Sequence, residues 1–114
     1  VPRYCLVCQT SINAEGIITR SEFYRGLMCS QARMTYTEVA EILDGHTALR
    51  KTYEPLVPAF EALQDLYKAL HKQRRARGAI DFDTIETKIL FDTQGKIKTI
   101  IPHQRNIAHK LIEE

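Results

Sequence analysis

This 114-residue chain has no apolar run approaching the roughly 20 residues needed to span a bilayer, so the sequence does not predict a membrane protein. Its cysteines are few and odd in number, which disfavours a disulfide framework and predicts a reducing compartment, the cytoplasm. The net charge is only +2, so any binding of nucleic acid requires a local basic patch. The chain begins at Val1 without an initiator methionine or a signal peptide, and we therefore expect a piece of a longer protein.

Motifs for common catalytic and metal sites are equally scarce. The sequence has no glycine-rich phosphate loop, no Gly-x-Ser-x-Gly motif and no His-x-x-x-His pair. Cys5 and Cys8 have the spacing of metal ligands, but they lie in an alternating, strand-like stretch, where residues three apart point to opposite faces. A second pair of ligands at zinc-finger spacing is missing. We therefore predict no metal site in this chain.

What the sequence does contain is the pattern of a folded α+β domain. Hydrophobic residues make up 44% and charged residues 26% of the chain, as in ordinary globular proteins. Strand-like runs at 4–12 and 17–28 flank a turn at 13–16, and runs at 87–91 and 96–101 flank a turn at 92–95. Each turn ends in a glycine. We predict two β-hairpins that form one antiparallel sheet of about four strands, packed against helices.

Helices are predicted between the two hairpins. Thr35 and Glu38 have the spacing of a capping box, so a helix should begin at Tyr36 and end near Gly45. A longer helix should follow Pro55 and end before Gly78, with an apolar stripe of Leu56, Phe60, Leu63, Tyr67 and Leu70. Its end is basic, with Lys72, Arg74, Arg75 and Arg77. These residues either complement the helix dipole or form a patch that binds RNA, and the sequence leaves both readings open.

A last helix is predicted after Pro102. Ile107, Ala108, Leu111 and Ile112 should form its apolar side, which Glu114 flanks, and its polar stripe should contain Asn106, His109, Lys110 and Glu113. Such a stripe is either solvated or functional. Two acids at the C-terminal end of a helix oppose the helix dipole, so we expect the helix to continue beyond Glu114 in a longer protein.

Three stretches of the chain carry a specific resemblance. "SQARMTYTEVAEIL", "RGAIDF" and "QRNIAHKLIEE" occur in this order and resemble the middle of the RNB catalytic domain of the ribonuclease II family of exoribonucleases. The resemblance covers residues 1–114 and identifies the chain as a partial RNB domain that is truncated at both ends. In this family the last helix continues, which accounts for its two terminal acids.

The resemblance implies a function for the parent protein. It is hydrolytic, processive, 3′-to-5′ degradation of single-stranded RNA to nucleoside monophosphates with Mg²⁺ as the cofactor, in the cytoplasm and without a preference for DNA. The family's metal-binding aspartates lie upstream of Val1, so the resemblance implies that this fragment binds no metal and holds no catalytic residue. The parent's oligomeric state is not implied.

The same resemblance implies RNA-binding roles for individual residues. Tyr36 matches a tyrosine near the 3′-terminal nucleotide, and Phe82 matches an aromatic residue that stacks on bases. Glu113 matches an acid that accepts a hydrogen bond from a ribose 2′-hydroxyl, and Glu114 takes that role if the register is off by one. Asp81 departs from the pattern, because an acid is unexpected near RNA phosphates. From the residues alone, Phe82 is equally a strand aromatic that faces the core.

Two functions of other classes remain open at this point. One is a non-catalytic RNA-binding or scaffold module that has kept the RNB fold. The other is a protein-interaction domain that docks a partner on the apolar stripe between Leu56 and Leu70, which requires that stripe to be exposed.

Overall fold

The computed structural model describes residues 1–82 and 85–114, and it has an α+β architecture. A short 3₁₀ turn at Glu54–Leu56 precedes the longest helix. The elements in chain order are β1 (Arg3–Ile12), β2 (Ile18–Met28), α1 (Tyr36–Leu43), α2 (Thr47–Thr52), α3 (Val57–Ala76), β3 (Glu86–Phe91), β4 (Ile97–His103) and α4 (Ile107–Glu113). In this part of the chain no helix has the length and apolar character that crossing a membrane requires.

Both predicted hairpins are present, and their turns use the same local chemistry. The Asn13 side-chain oxygen accepts hydrogen bonds from two turn amides at 2.9 and 3.1 Å, and Asp92 does the same at 2.9 Å for each amide. The turns close with Gly16 at φ 80° and Gly95 at φ 76°, a left-handed conformation that glycine adopts without steric cost. The polar residue and the glycine at each turn therefore fix the register of the strands on either side.

The prediction of one four-stranded sheet is not confirmed. Among the described residues, β1 pairs only with β2 and β3 only with β4, so the chain contains two separate antiparallel sheets of two strands. The reason lies in tertiary placement, because the helices between the hairpins carry them to different sites. In β1, Cys5 pairs with Gly26 and Cys8 pairs with Phe23, and both cysteines are free thiols, as is Cys29.

Helix α1 begins where the sequence predicts, at Tyr36, whereas the short helix α2 is not predicted and α4 begins only at Ile107, after β4. The Thr35 hydroxyl accepts from the Glu38 amide at 3.2 Å, and the Glu38 carboxylate accepts from the Thr35 amide at 2.9 Å, which is a complete capping box. The Thr35 hydroxyl also donates to the Glu38 carboxylate at 2.7 Å, and this hydrogen bond, together with the one from the Thr35 amide, lowers the pKa of Glu38. Helix α1 ends at Leu43 ahead of Gly45 at φ 97°, and α3 ends at Ala76 ahead of Gly78 at φ 74°.

The core formed by the described residues is small and belongs to three helices. Among the described residues, the buried apolar side chains are Ile42 of α1, Val57 of α3 and Ala108 of α4, and these helices contact one another pairwise. The radius of gyration is 17.7 Å. A compact domain of this length would have about 13 Å, so the hairpins extend away from the helices. The apolar residues of the hairpins are accordingly exposed, among them Tyr4, Leu6, Phe23 and Ile100.

Two apolar stripes differ in detail from the predicted ones. Of the stripe predicted from Leu56 to Leu70, Leu63 is exposed while the other four members are half-buried, so the stripe does not form an open docking face for a partner protein. On α4, Ile112 is exposed, whereas Ile107, Ala108 and Leu111 face the other helices or are half-buried. Periodicity marks the correct side of each helix but does not show where the neighbouring element ends.

The turn of the first hairpin packs against α3. Gly16 is buried, and a Cβ atom added there would lie 2.4 Å from the backbone oxygen of Ala69. The Gln73 side chain donates a hydrogen bond to the Glu15 carbonyl from the next turn of α3. Gly95 occupies the equivalent turn position in the second hairpin, but a Cβ atom there meets no heavy atom within 4 Å.

Replacing Gly16 with alanine should therefore detach this turn from α3. Both Gly16→Ala and Gly95→Ala incur the cost of a left-handed alanine, about 1–2 kcal/mol, but only Gly16→Ala adds a clash with helix backbone. Urea unfolding should show a larger loss of unfolding free energy for Gly16→Ala. Equal losses for the two variants would show that the hairpin does not dock on α3 in solution.

Candidate nucleic-acid interface

A groove of about 520 Å³ lies between the end of α3, the segment that follows it, and α4. We call it the α3–α4 groove. Three of the four candidate RNA-binding residues, Phe82, Glu113 and Glu114, line it, whereas Tyr36 does not. Its remaining lining residues are Tyr67, His71, Arg74, Ile80, Asp81, Arg105 and Lys110. The groove therefore combines an aromatic ring, carboxylates and several cationic side chains.

The two terminal acids of α4 have different environments. The Glu114 side chain is only 9% exposed and lies 3.2 Å from the Arg74 guanidinium and 4.0 Å from the His71 ring. The Glu113 side chain is 47% exposed and forms an ion pair with Arg105, not with Lys110. A carboxylate has lone pairs for several hydrogen bonds, so Glu113 retains acceptor capacity toward a ligand in the groove.

Asp81 is paired rather than free. Its carboxylate lies 3.3 Å from the Arg74 guanidinium and 3.9 Å from Nδ1 of His71. The unexpected acid beside Phe82 is thus a partner for the basic end of α3. Its negative charge is offset locally, so it does not oppose the approach of a phosphate as an isolated acid would.

Phe82 is not a core residue. It lies outside any helix or strand and is 76% exposed, so the alternative of a strand aromatic that faces the core is wrong. An exposed aromatic ring at the wall of a groove is free to stack on a planar ligand. Ile80 of the same segment is also exposed and lines the groove.

Tyr36 lies outside the groove, at the start of α1, and contacts the N-terminal end of α4. Its ring stacks on His109 with a centroid separation of 4.0 Å and an interplanar angle of 17°. The backbone oxygen of Tyr36 accepts from the Asn106 side-chain amide at 3.3 Å. Since His109 and Glu113 are four residues apart on α4, they share one face, about 6 Å apart along the axis. Tyr36 and Glu113 therefore lie along one side of α4.

The start of α4 is an unusual capping box with histidine as its third helical residue. The Asn106 side-chain oxygen accepts from the amides of Ala108 and His109, and Nδ1 of His109 accepts from the Asn106 amide at 3.1 Å. Burial lowers the pKa of His109, the charges of His103 and Arg105 lower it further, and Glu86 opposes them. The neutral ring is the form that accepts this hydrogen bond.

Sequence reasoning missed several members of the groove. Tyr67 belongs to the apolar stripe that the sequence predicts for α3, but it lines the groove and stacks on His71 at 5.4 Å. His71 and Arg105 belong to no functional motif in the sequence. The one available signal was the spacing of Tyr67, His71 and Arg74, which places them on one face of α3.

The described residues do not suit the Mg²⁺ that the resemblance implies. Residues 1–82 and 85–114 contain no cluster of three or more histidine, cysteine, aspartate or glutamate side chains that would hold a metal ion. The three carboxylates of the groove are each paired with an arginine. A hard divalent cation needs several free oxygen ligands, so this arrangement does not provide a site for it.

Comparison with known proteins identifies the family. The model of the RNB domain matches residues 1–114, so the chain belongs to the RNB domain family. Within that family, its relatives include ribonuclease R of Vibrio cholerae, which is 47% identical, and ribonuclease R of Escherichia coli, which is 46% identical. Both alignments cover 100% of this chain but only 14% of the relative, so the chain spans about one seventh of their length.

Solved structures show the same relationship. The apo form of ribonuclease R from Mycoplasma genitalium matches this chain with a TM-score of 0.85 at 26% identity, over 99% of this chain and 17% of that one. The same protein in complex with ribose-methylated single-stranded RNA also matches with a TM-score of 0.85. The α+β arrangement of the chain is therefore that of a segment of ribonuclease R.

The stability of α4 should depend on pH through His109. Because the pKa of His109 is lowered in the folded state, the unfolded chain binds more protons as the pH falls below the ordinary histidine range. The capping hydrogen bond should thus be fully present above about pH 6.5 and be lost as the pH falls. We expect the wild-type chain to lose unfolding free energy between pH 7.5 and 5.5.

His109→Gln is the matched variant for this prediction. Glutamine is an ordinary capping-box residue at this position and does not titrate, so the loss at low pH should be smaller in the variant. Urea unfolding at both pH values measures it. An identical pH dependence in the two proteins would show that His109 does not carry the effect.

Proposed function

We propose that this chain is the middle segment of the catalytic domain of a cytoplasmic 3′-to-5′ exoribonuclease that degrades single-stranded RNA hydrolytically and processively. In this proposal the α3–α4 groove receives the 3′-terminal part of the RNA. The observation that carries it is that Phe82 and Glu113, from separate parts of the chain, line one groove together with Arg105 and Lys110. The membership of the RNB family and the RNA-bound relative support the assignment.

Phe82 acts as the stacking platform. Its exposed ring contacts the face of a base, which is worth roughly 1–3 kcal/mol per base and does not depend on base identity. Independence from sequence is what a nuclease that degrades any RNA requires. Because the ring projects from a segment without regular secondary structure, its orientation depends on the contacts of the neighbouring residues.

Glu113 acts as the acceptor for a ribose 2′-hydroxyl, the group that distinguishes RNA from DNA. Its half-exposed side chain and its single ion pair with Arg105 favour it over Glu114 for this role. Arg105 orients the carboxylate and places positive charge at the groove. Tyr36, stacked on His109 along the same side of α4, helps to orient the same nucleotide.

In this proposal, the residues that catalyse hydrolysis lie in parts of the parent protein outside this chain. Two Mg²⁺ ions bound elsewhere in the parent protein would supply the activated water, and the residues described here bind and orient the RNA without a chemical step of their own. The exposed apolar faces of both hairpins also suit a segment that packs against further parts of a larger domain.

Replacing Glu113 with alanine in the full-length parent should reduce the preference for RNA over DNA. A charge-assisted hydrogen bond of about 1.5–3 kcal/mol corresponds to roughly a 10- to 150-fold change in the ratio of the two rates. The measurement is the degradation of matched RNA and DNA oligomers by the wild type and the variant. DNA turnover should be nearly unchanged.

Glu114→Ala tests the alternative register in the same assay. If RNA turnover falls in Glu113→Ala while the ratio stays the same, Glu113 has no recognition role. If the ratio changes only in Glu114→Ala, then Glu114 is the acceptor and the register is displaced by one residue.

The 114-residue chain by itself should not hydrolyse RNA with either Mg²⁺ or Mn²⁺. Its described part has no carboxylate cluster that would hold two metal ions about 4 Å apart. The assay is the release of monophosphates from 3′-labelled poly(A) by rigorously purified chain. Metal-dependent release would contradict the proposal that catalysis resides elsewhere.

The same assay on the full-length parent tests the alternative function. An inactive full-length parent that still binds RNA would identify a non-catalytic RNA-binding module.

A further inference from the structure

We propose that Arg74 is a positioning residue that fixes the stacking ring of Phe82 relative to the acceptor carboxylate of Glu113. This inference rests on the proposed function of the α3–α4 groove. It assigns the basic end of α3 a role that is neither dipole compensation nor direct attraction for RNA.

One guanidinium holds two separate parts of the chain. Nη2 of Arg74 lies 3.3 Å from the carboxylate of Asp81, and Nη1 lies 3.2 Å from the carboxylate of Glu114. Arg74 itself belongs to α3, which contacts both α1 and α4. The arginine therefore connects three elements at one point, and we call this set of contacts the Arg74 clasp.

The two acids of the clasp are sequence neighbours of the two proposed RNA contacts. Asp81 directly precedes Phe82, and Glu114 directly follows Glu113. Consecutive Cα atoms are held about 3.8 Å apart, so a backbone shift at either acid is passed on to its neighbour. Through these two acids, the position of Arg74 sets the distance between the aromatic ring and the carboxylate acceptor.

On the α4 side, the burial of Glu114 makes its ion pair with Arg74 necessary. The Glu114 side chain is only 9% exposed, and a carboxylate with so little access to water needs a charged partner. His71 adds a second contact to each acid, at 3.9 Å to Asp81 and 4.0 Å to Glu114, and its ring is braced by stacking on Tyr67.

Arginine is the residue type that this geometry requires. Its planar guanidinium presents donors in fixed directions, so its two terminal nitrogens can each serve a different carboxylate at the same time. Lysine offers a single point charge on a flexible stem. We therefore expect Arg74→Lys to keep the charge but lose most of the coupling between the two acids.

The test compares Arg74→Met with Arg75→Met in the full-length parent. Arg75 lies on the same last turn of α3, and it forms no ion pair with any residue that the structure describes. Both variants remove one positive charge from the same helix end. If the role of Arg74 is positioning, only Arg74→Met should raise KM for RNA, by about tenfold, with kcat nearly unchanged.

Hydrogen exchange supplies a readout that is independent of RNA. In Arg74→Met, the peptide that contains residues 107–113 should exchange faster, because α4 loses its attachment to α3. Arg75→Met should leave this peptide unchanged. Arg74→Lys should resemble Arg74→Met in both measurements, and it serves as the test if the methionine variant does not fold.

Several outcomes would overturn the proposal. An equal rise in KM for Arg75→Met would indicate general attraction of RNA by charge. A rise in KM without faster exchange would indicate direct contact of Arg74 with RNA, and faster exchange without a change in KM would show that the clasp is structural only. If Phe82→Ala and Glu113→Ala leave RNA turnover unchanged, the groove function itself fails. If they impair turnover while Arg74→Met does not, only the clasp is refuted.

Discussion

The mutual packing of α1, α3 and α4 is the constraint on which the candidate site depends. Each helix has one buried apolar side chain, and Ile42 of α1 is fully buried, a burial worth about 1.5–3 kcal/mol. Each helix also carries one polar part of the site: Tyr36 on α1, Arg74 on α3 and Glu113 on α4. A small apolar core thus sets the geometry of a polar groove several residues away from it.

The charges of the groove are arranged in pairs, and this arrangement suits a polyanionic ligand. Arg74 pairs with both Asp81 and Glu114, and Arg105 pairs with Glu113, so three carboxylates face two guanidiniums and the charge of Lys110 is needed to balance the third. Lys110 lines the same groove and forms no ion pair within the part of the chain that the structure describes. The acids can therefore serve as anchors and as a hydrogen-bond acceptor without repelling RNA.

Local features of the fold were predictable from the sequence because their causes are local. The turns depend on a polar residue and a glycine three positions later, and the start of α1 depends on the Thr35–Glu38 pair. The single four-stranded sheet was wrongly predicted, since pairing between hairpins depends on where the intervening helices carry them. The exposed positions of Leu63 and Ile112 were missed for the same reason, because burial is decided by the neighbouring element.

By itself, the sequence determined the hairpins, the start of α1 and, through its resemblance, the RNB family together with the residues expected to contact RNA. The tertiary structure decided which of those residues share a groove, which acid of α4 is anchored and which remains half-exposed. It also showed that Asp81, which is unexpected from the family pattern, forms an ion pair with Arg74. The physical reason is that ion pairs between Asp81, Arg74 and Glu114 join residues up to 40 positions apart. No periodicity or local motif encodes a contact of that range, because it forms only after the helices have packed.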